Sequence, residues 1–194
     1  ITLDRPMKAI RQDLGIPGVT AFSVDGTPAD CVRASLDAIL PQTPDVVLSG
    51  INHGYNVGYD IAYSGTVGAA MEAQMSGIPA IAVSQNNLGS YENSAAYLPE
   101  ILAELLETPC PSGEIWNVNI PTGNCLGIAR DCTVAEGGYY KGKLYIREKA
   151  GVLHLQYPDL EPLDYSLHPA ADGSDLRAVV NGYISIGRVR CTVM

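Results

Sequence analysis

Residues 45–77 (DVVLSGINHGYNVGYDIAYSGTVGAAMEAQMSG) constrain the fold more than any other stretch. They open on a continuous apolar run, Val46-Val47-Leu48, which predicts a strand buried on both faces. A loop rich in Gly and Asn follows and ends at Ser64-Gly65-Thr66. Residues 67–73 then read as helix. Where a glycine-rich loop joins a strand to a helix, α/β proteins bind anions. The first helical turn there has unpaired N–H groups and the positive end of a dipole. The pattern predicts a phosphate-like group held near Ser64, Gly65 and Thr66.

The flanking segments place this unit in a larger pattern. Residues 19–24 (VTAFSV) predict a strand. Thr27, Pro28 and Asp30 then give three agreeing helix-start signals: an N-cap, a proline at N1 and a carboxylate at N3. That helix is expected to continue through Leu40 to Pro41. Strands are predicted at 45–49, 78–84 and 114–120, with Gly77 as a helix stop and a second long helix over 93–107. The order β-α-β-loop-α-β-α-β implies a mostly parallel, Rossmann-like sheet in three layers, with right-handed crossovers. Ligands in such sheets lie beyond the carboxyl ends of the strands, which is where 49–66 should fall.

The pattern changes after Pro121. Two strands at 139–146 and 152–157 suggest a hairpin, 158–169 is proline-rich and irregular, and 183–186 predicts a last short strand. The expected division is an α/β core over 1–121 and a β-rich extension over 122–194, without a strongly amphipathic helix. A hairpin that cannot bury its apolar face alone is expected to pack on another subunit.

The net charge of −9 excludes duplex nucleic acid as an expected partner, because affinity there rests on Lys and Arg neutralising phosphates. No apolar segment is long enough to span a bilayer, and no leader pattern is visible at the start. The five cysteines are odd in number and irregular in spacing, which reads as reduced cytosolic thiols and a cytoplasmic protein.

Several motifs taken together resemble the SurE family, the survival-protein nucleotidases. They are Gly26-Thr27-Pro28-Ala29-Asp30-Cys31, the run from Pro44 to Asn52 with its Ser49-Gly50-Ile51-Asn52, Gly54 to Asn56 with Gly58, and Ser64-Gly65-Thr66-Val67 with Ala69-Ala70 and Glu72. The run from Gly77 to Ser84, Asn117 to Pro121, Ser174-Asp175 and Gly182 to Ile186 complete the set. The resemblance implies a phosphatase dependent on a divalent metal, Mg2+ or Mn2+. Its substrates would be nucleoside 5′- or 3′-monophosphates, and some members also shorten polyphosphate. A homodimer or homotetramer is implied as well.

In the family the metal is held by two adjacent Asp, a Ser, and the Asn that corresponds to Asn52. By this resemblance the other ligands, with the family's first strand, acidic turn, first helix and second strand, precede Ile1. The 194-residue chain alone is therefore expected to bind metal weakly and to lack activity. On the residues alone, Asn52 is either a loop-capping amide or a ligand. Ser64 to Thr66 are either a cap and turn or a phosphate cradle. Asn56 either shapes the loop or touches substrate. The alternative functions are a non-catalytic phosphate- or nucleotide-binding module and a polyphosphate or sugar-phosphate hydrolase.

Overall fold

The computed structural model describes residues 1–86, 89–138, 145–156 and 170–191. Its centre is a five-stranded sheet in the order β3-β4-β5-β9-β6. Strands β3 (Val47–His53), β4 (Ala80–Gln85) and β5 (Glu114–Ile120) run parallel. Helix α2 (Gly65–Met75) links the first pair and α3 (Glu92–Glu107) the second. Strand β9 (Tyr183–Arg190) is antiparallel to β5, and β6 (Gly127–Cys132) is parallel to β9.

Alternation along β4 explains the three layers. Successive strand side chains point to opposite faces. Ala80 and Ala82 join Val67, Ala70 and Ala73 of α2 in one core, which also takes in Val32 of α1 (Pro28–Ala34). Ile81 and Val83 join Ile101 and Leu105 of α3, with Val118, Ile120, Ile184 and Ile186, in the other. Small residues on both α2 and its side of β4 let that helix approach the sheet; large branched ones fill the α3 side. A third, smaller core joins Tyr55 and Val57 of the central loop to Ala135 and to Leu176 and Val179 of α4 (Asp175–Val180).

The local helix signals hold. Thr27 caps α1 in a reciprocal capping box with Asp30, with Pro28 in the first turn. A π-helical turn, Ser35–Ile39, carries the chain on, and the chain is already extended at Leu40, so the helix stops before the expected Leu40 and Pro41. Gly77 follows α2 at φ +79°, a left-handed conformation natural to glycine at a helix end.

Several expectations are corrected. The strand at 19–24 is β2 (Ala21–Val24). It pairs antiparallel with an unforeseen β1 (Ala9–Gln12) in a separate two-stranded sheet, instead of opening the parallel one. Strand β3 is later and longer than 45–49. It is not buried on both faces, since Leu48 is 50% exposed, and among the described strands it stands at the edge of the sheet. The residues after Pro121 do not all stand outside the core: β9 lies between β5 and β6, and it is eight residues long. They also contain a helix, α4, which buries Leu176, Ala178 and Val179. The hairpin is β7 (Tyr145–Lys149) and β8 (Val152–Gln156), a separate pair. The expected strand residues 139–144 and 157, and the irregular 158–169, lie outside the described residues. All five cysteines are free thiols.

Candidate phosphate-binding site

The site forms where β3 ends and α2 begins. Ser64 is the N-cap of α2, and its Oγ accepts the Val67 N–H at 3.1 Å. That satisfies one of the orphan donors of the first turn. The N–H groups of Gly65 and Thr66 have no hydrogen-bond partner among the described residues. They are the donors left for an anion, with the helix dipole behind them. Capping uses one acceptor position of the Ser64 hydroxyl and leaves its O–H free to donate outward. Gly65 is exposed on this turn, and its lack of a side chain has a separate reason. A Cβ there would lie 3.0 Å from Cγ of Pro28, at the start of α1.

Asn52 stands one residue from the end of β3, opposite Ser84 of β4. Its Nδ2 donates to the Gly54 carbonyl at 2.8 Å. This bond fixes the amide and leaves Oδ1 as the end able to meet a cation. It is a single neutral oxygen, and a hard divalent ion needs several, mostly carboxylates. Among the described residues no three His, Cys, Asp or Glu side chains gather to hold a metal. The described residues therefore do not fit a complete metal site.

Asn56 is buried and serves the loop. Its Nδ2 donates to Ser84 Oγ at 2.6 Å. Its backbone is held by β5: the N–H reaches Asn119 Oδ1 at 2.8 Å, and the carbonyl accepts from Asn119 Nδ2 at 3.1 Å and Asn117 Nδ2 at 2.9 Å. One Asn119 amide thus pairs with both polar groups of the Asn56 backbone, as a neighbouring strand would. Ser84, Asn119 and Ser185 sit in register across β4, β5 and β9, and all three are fully buried. This polar row replaces apolar packing beneath the loop.

The other anchor is Asp175, the first residue of α4 and 4% exposed. Its Oδ2 accepts the Gly58 N–H at 3.0 Å. Its Oδ1 accepts from Ala135 at 3.0 Å and Leu176 at 2.7 Å. Burial pushes its carboxyl above the usual range, and the backbone N–H groups of Gly58, Ala135 and Leu176 pull against that rise. Gly58, at φ +52°, also packs so closely on the Gly137 carbonyl that a Cβ would sit 2.0 Å from its oxygen. The Tyr59 N–H donates to that same carbonyl at 2.6 Å.

Sequence reasoning did not single out Asn117, Asn119 or Asp175 for a role of their own. The first two carried a signal: amides at i and i+2 in EIWNVNI, on one face of a strand whose other face is Trp116, Val118 and Ile120. Amides facing the interior of an otherwise apolar strand must be paired, and what they pair is the loop. Of the remaining candidates, Asp30 caps α1, and Glu72 lies 3.5 Å from Arg33 in an ion pair. His53 is exposed, and His168 lies outside the described residues.

The family profile described as survival protein SurE matches residues 1–139. The chain belongs to the SurE family. It is 37% identical over 198 residues to the 5′-nucleotidase SurE of Geotalea uraniireducens, covering 96% of this chain and 73% of that protein. It is 46% identical over 125 residues to the 5′-nucleotidase SurE of Carboxydothermus hydrogenoformans, covering 62% of this chain and 47% of that protein. The crystal structure of the SurE protein from Aquifex aeolicus superposes with a TM-score of 0.79 at 33% identity. It covers this whole chain and 77% of the Aquifex chain. That likeness establishes the Rossmann-like α/β fold with its added C-terminal strands. The matched stretch is under half the length of the Carboxydothermus protein, and both bacterial relatives are described as 5′-nucleotidases.

Proposed function

We propose that this SurE chain supplies the phosphate-binding half of a metal-dependent phosphomonoesterase site acting on nucleoside 5′- and 3′-monophosphates. The N–H groups of Gly65 and Thr66 and the hydroxyls of Ser64 and Thr66 hold the phosphoryl oxygens. They are aimed where negative charge gathers as the ester bond breaks, and fixed donors there need no reorganisation. Val67 N–H is committed to the cap and takes no part. Asn56 acts on substrate through the loop it secures. Asn52 Oδ1 offers one oxygen to Mg2+ or Mn2+. That ion would supply Lewis-acid polarisation and a more acidic water.

The observation that carries the reading is the pair of unpartnered N–H groups on the capped first turn of α2, in a chain of this family. The incomplete donor set around Asn52 supports a second statement. The 194-residue chain by itself binds phosphate without hydrolysing it, and activity needs carboxylates beyond the described residues. The free thiols are in keeping with a cytoplasmic setting. No described helix is long and apolar enough to cross a membrane. Exposed Ile146, Val152, Leu153 and Leu155 on the β7–β8 hairpin support a homo-oligomer, dimer or tetramer, that covers them.

Titrating inorganic phosphate, then adenosine 5′-monophosphate, into 15N-labelled protein tests the site. The Gly65 and Thr66 amide resonances should move first and saturate. Shifts confined to residues away from α2 would reject the cradle.

A further inference from the structure

We infer that Asn119 and Asp175 are positioning residues that set the loop from Tyr55 to Gly58 from two sides, and through it the phosphate-binding turn of α2. The inference rests on the phosphate reading above. The loop has to carry the chain from Asn52 at the end of β3 to Ser64 at the head of α2. Its backbone polar groups cannot pair along a strand, because β3 has ended at His53. Buried groups of this kind must find partners elsewhere. They find them in three side chains distant in sequence, Asn117, Asn119 and Asp175.

From the sheet side, Asn119 takes the N–H and the carbonyl of Asn56 together, and Asn117 takes the carbonyl a second time. From the opposite end of the chain, Asp175 takes the Gly58 N–H across 117 positions. Asp175 also takes Ala135 N–H, so one carboxylate ties three segments: the loop, the turn after β6 and the head of α4. Only an acceptor suits three N–H groups converging on two oxygens. The apolar groups around this knot, Tyr55, Val57, Ala135, Leu176 and Val179, are a core of their own. The loop is thus gripped separately from the two larger cores that hold α2 and α3 to the sheet. The 3-10 turn Tyr59–Tyr63 begins at once after Gly58 and ends at Ser64. Only these five residues, all within one hydrogen-bonded turn, separate Gly58 from the cap, so a shift at Gly58 is passed on to Ser64.

Asp175→Asn tests this. It keeps the volume but turns one acceptor into a donor that faces an N–H group. The expected result is at least tenfold weaker binding of inorganic phosphate and at least tenfold faster hydrogen exchange at the Gly58 amide. Amide exchange at Ala69 and Ala70, inside α2, should stay at the wild-type rate. Leu176→Ala is the control for a merely structural effect: it truncates the same small core and leaves the carboxylate in place. It should lower the melting temperature with less than a threefold change in phosphate affinity.

If Asp175→Asn does not fold, Asn119→Ser gives the same readout from the sheet side, with faster exchange at the Asn56 amide and weaker phosphate binding. Wild-type phosphate affinity in whichever of these two variants folds overturns the inference and leaves the cradle standing. So does a control variant that loses phosphate binding as fully as Asp175→Asn. Absence of phosphate-induced shifts at Gly65 and Thr66 in the wild type overturns the cradle and this inference together.

Discussion

Ser64→Asp should separate the two roles that the Ser64 hydroxyl combines. Asp is as good an N-cap as Ser, since its carboxylate accepts the Val67 N–H as Oγ does now at 3.1 Å. A negative charge at the head of α2 also interacts well with the dipole, by about 0.3–1 kcal/mol. The variant should therefore melt at or slightly above the wild-type temperature. Phosphate binding should respond the other way. Two unit charges about 4 Å apart repel by about 1 kcal/mol in bulk water and about 4 kcal/mol at the effective dielectric of a protein surface. Ser64 is only half-buried, so the true cost falls between these limits. Roughly fivefold to a thousandfold weaker binding follows. Ser64→Ala is the contrast. It removes the cap, at about 1 kcal/mol of stability, and so should lower the melting temperature by about 2–4 °C. Circular-dichroism melts give the first quantity and isothermal titration with inorganic phosphate the second. If Ser64→Asp binds phosphate as the wild type does, no anion sits at the head of α2 and the reasoning fails.

Gly68→Ala should stabilise the chain by about 0.5–1 kcal/mol, because a Cβ there meets nothing within 4 Å and alanine is the better helix former; a lower denaturant midpoint would contradict the space seen around it. Asp30 concerns acid stability: burial raises its pKa, but hydrogen bonds from Thr27 and Thr2 outweigh that and hold the carboxyl well below its ordinary 3.8. The stability it contributes is therefore present above pH 3.8 and lost as pH falls toward the depressed folded value, so Asp30→Asn should flatten the fall in melting temperature below about pH 4. Equal slopes for wild type and variant would show that these bonds do not act through the charge. Calorimetric titration of the 194-residue chain with MgCl2 or MnCl2 should give millimolar or weaker binding; a tight one-to-one isotherm would require ligands that the described residues do not show.

The sequence by itself determined whatever depends on neighbours along the chain. Thr27, Pro28 and Asp30 lie within a single turn, so the start of α1 could be read directly. The same holds for Ser64 at the head of α2, for Gly77 after it, and for β5, whose bounds match the expected 114–120. The capped turn proposed to hold phosphate was legible for this reason: its donors are backbone groups whose geometry a cap and a loop fix locally. Only the tertiary structure decided the pairings. Nothing in the period of residues 19–24 says that their partner is β1, because alternation reports which face is buried and not which strand lies alongside. Nor could the sequence place β9 between β5 and β6, where Asn119 meets Ser185 across a long stretch of chain. Asn119 and Asp175 act at that same range, each bonding to a loop more than sixty positions away. Such contacts form only once the sheet has brought its far segments together. A local reading therefore finds the capped turn proposed to bind the anion, and only the folded chain shows which distant side chains bond to the loop before it.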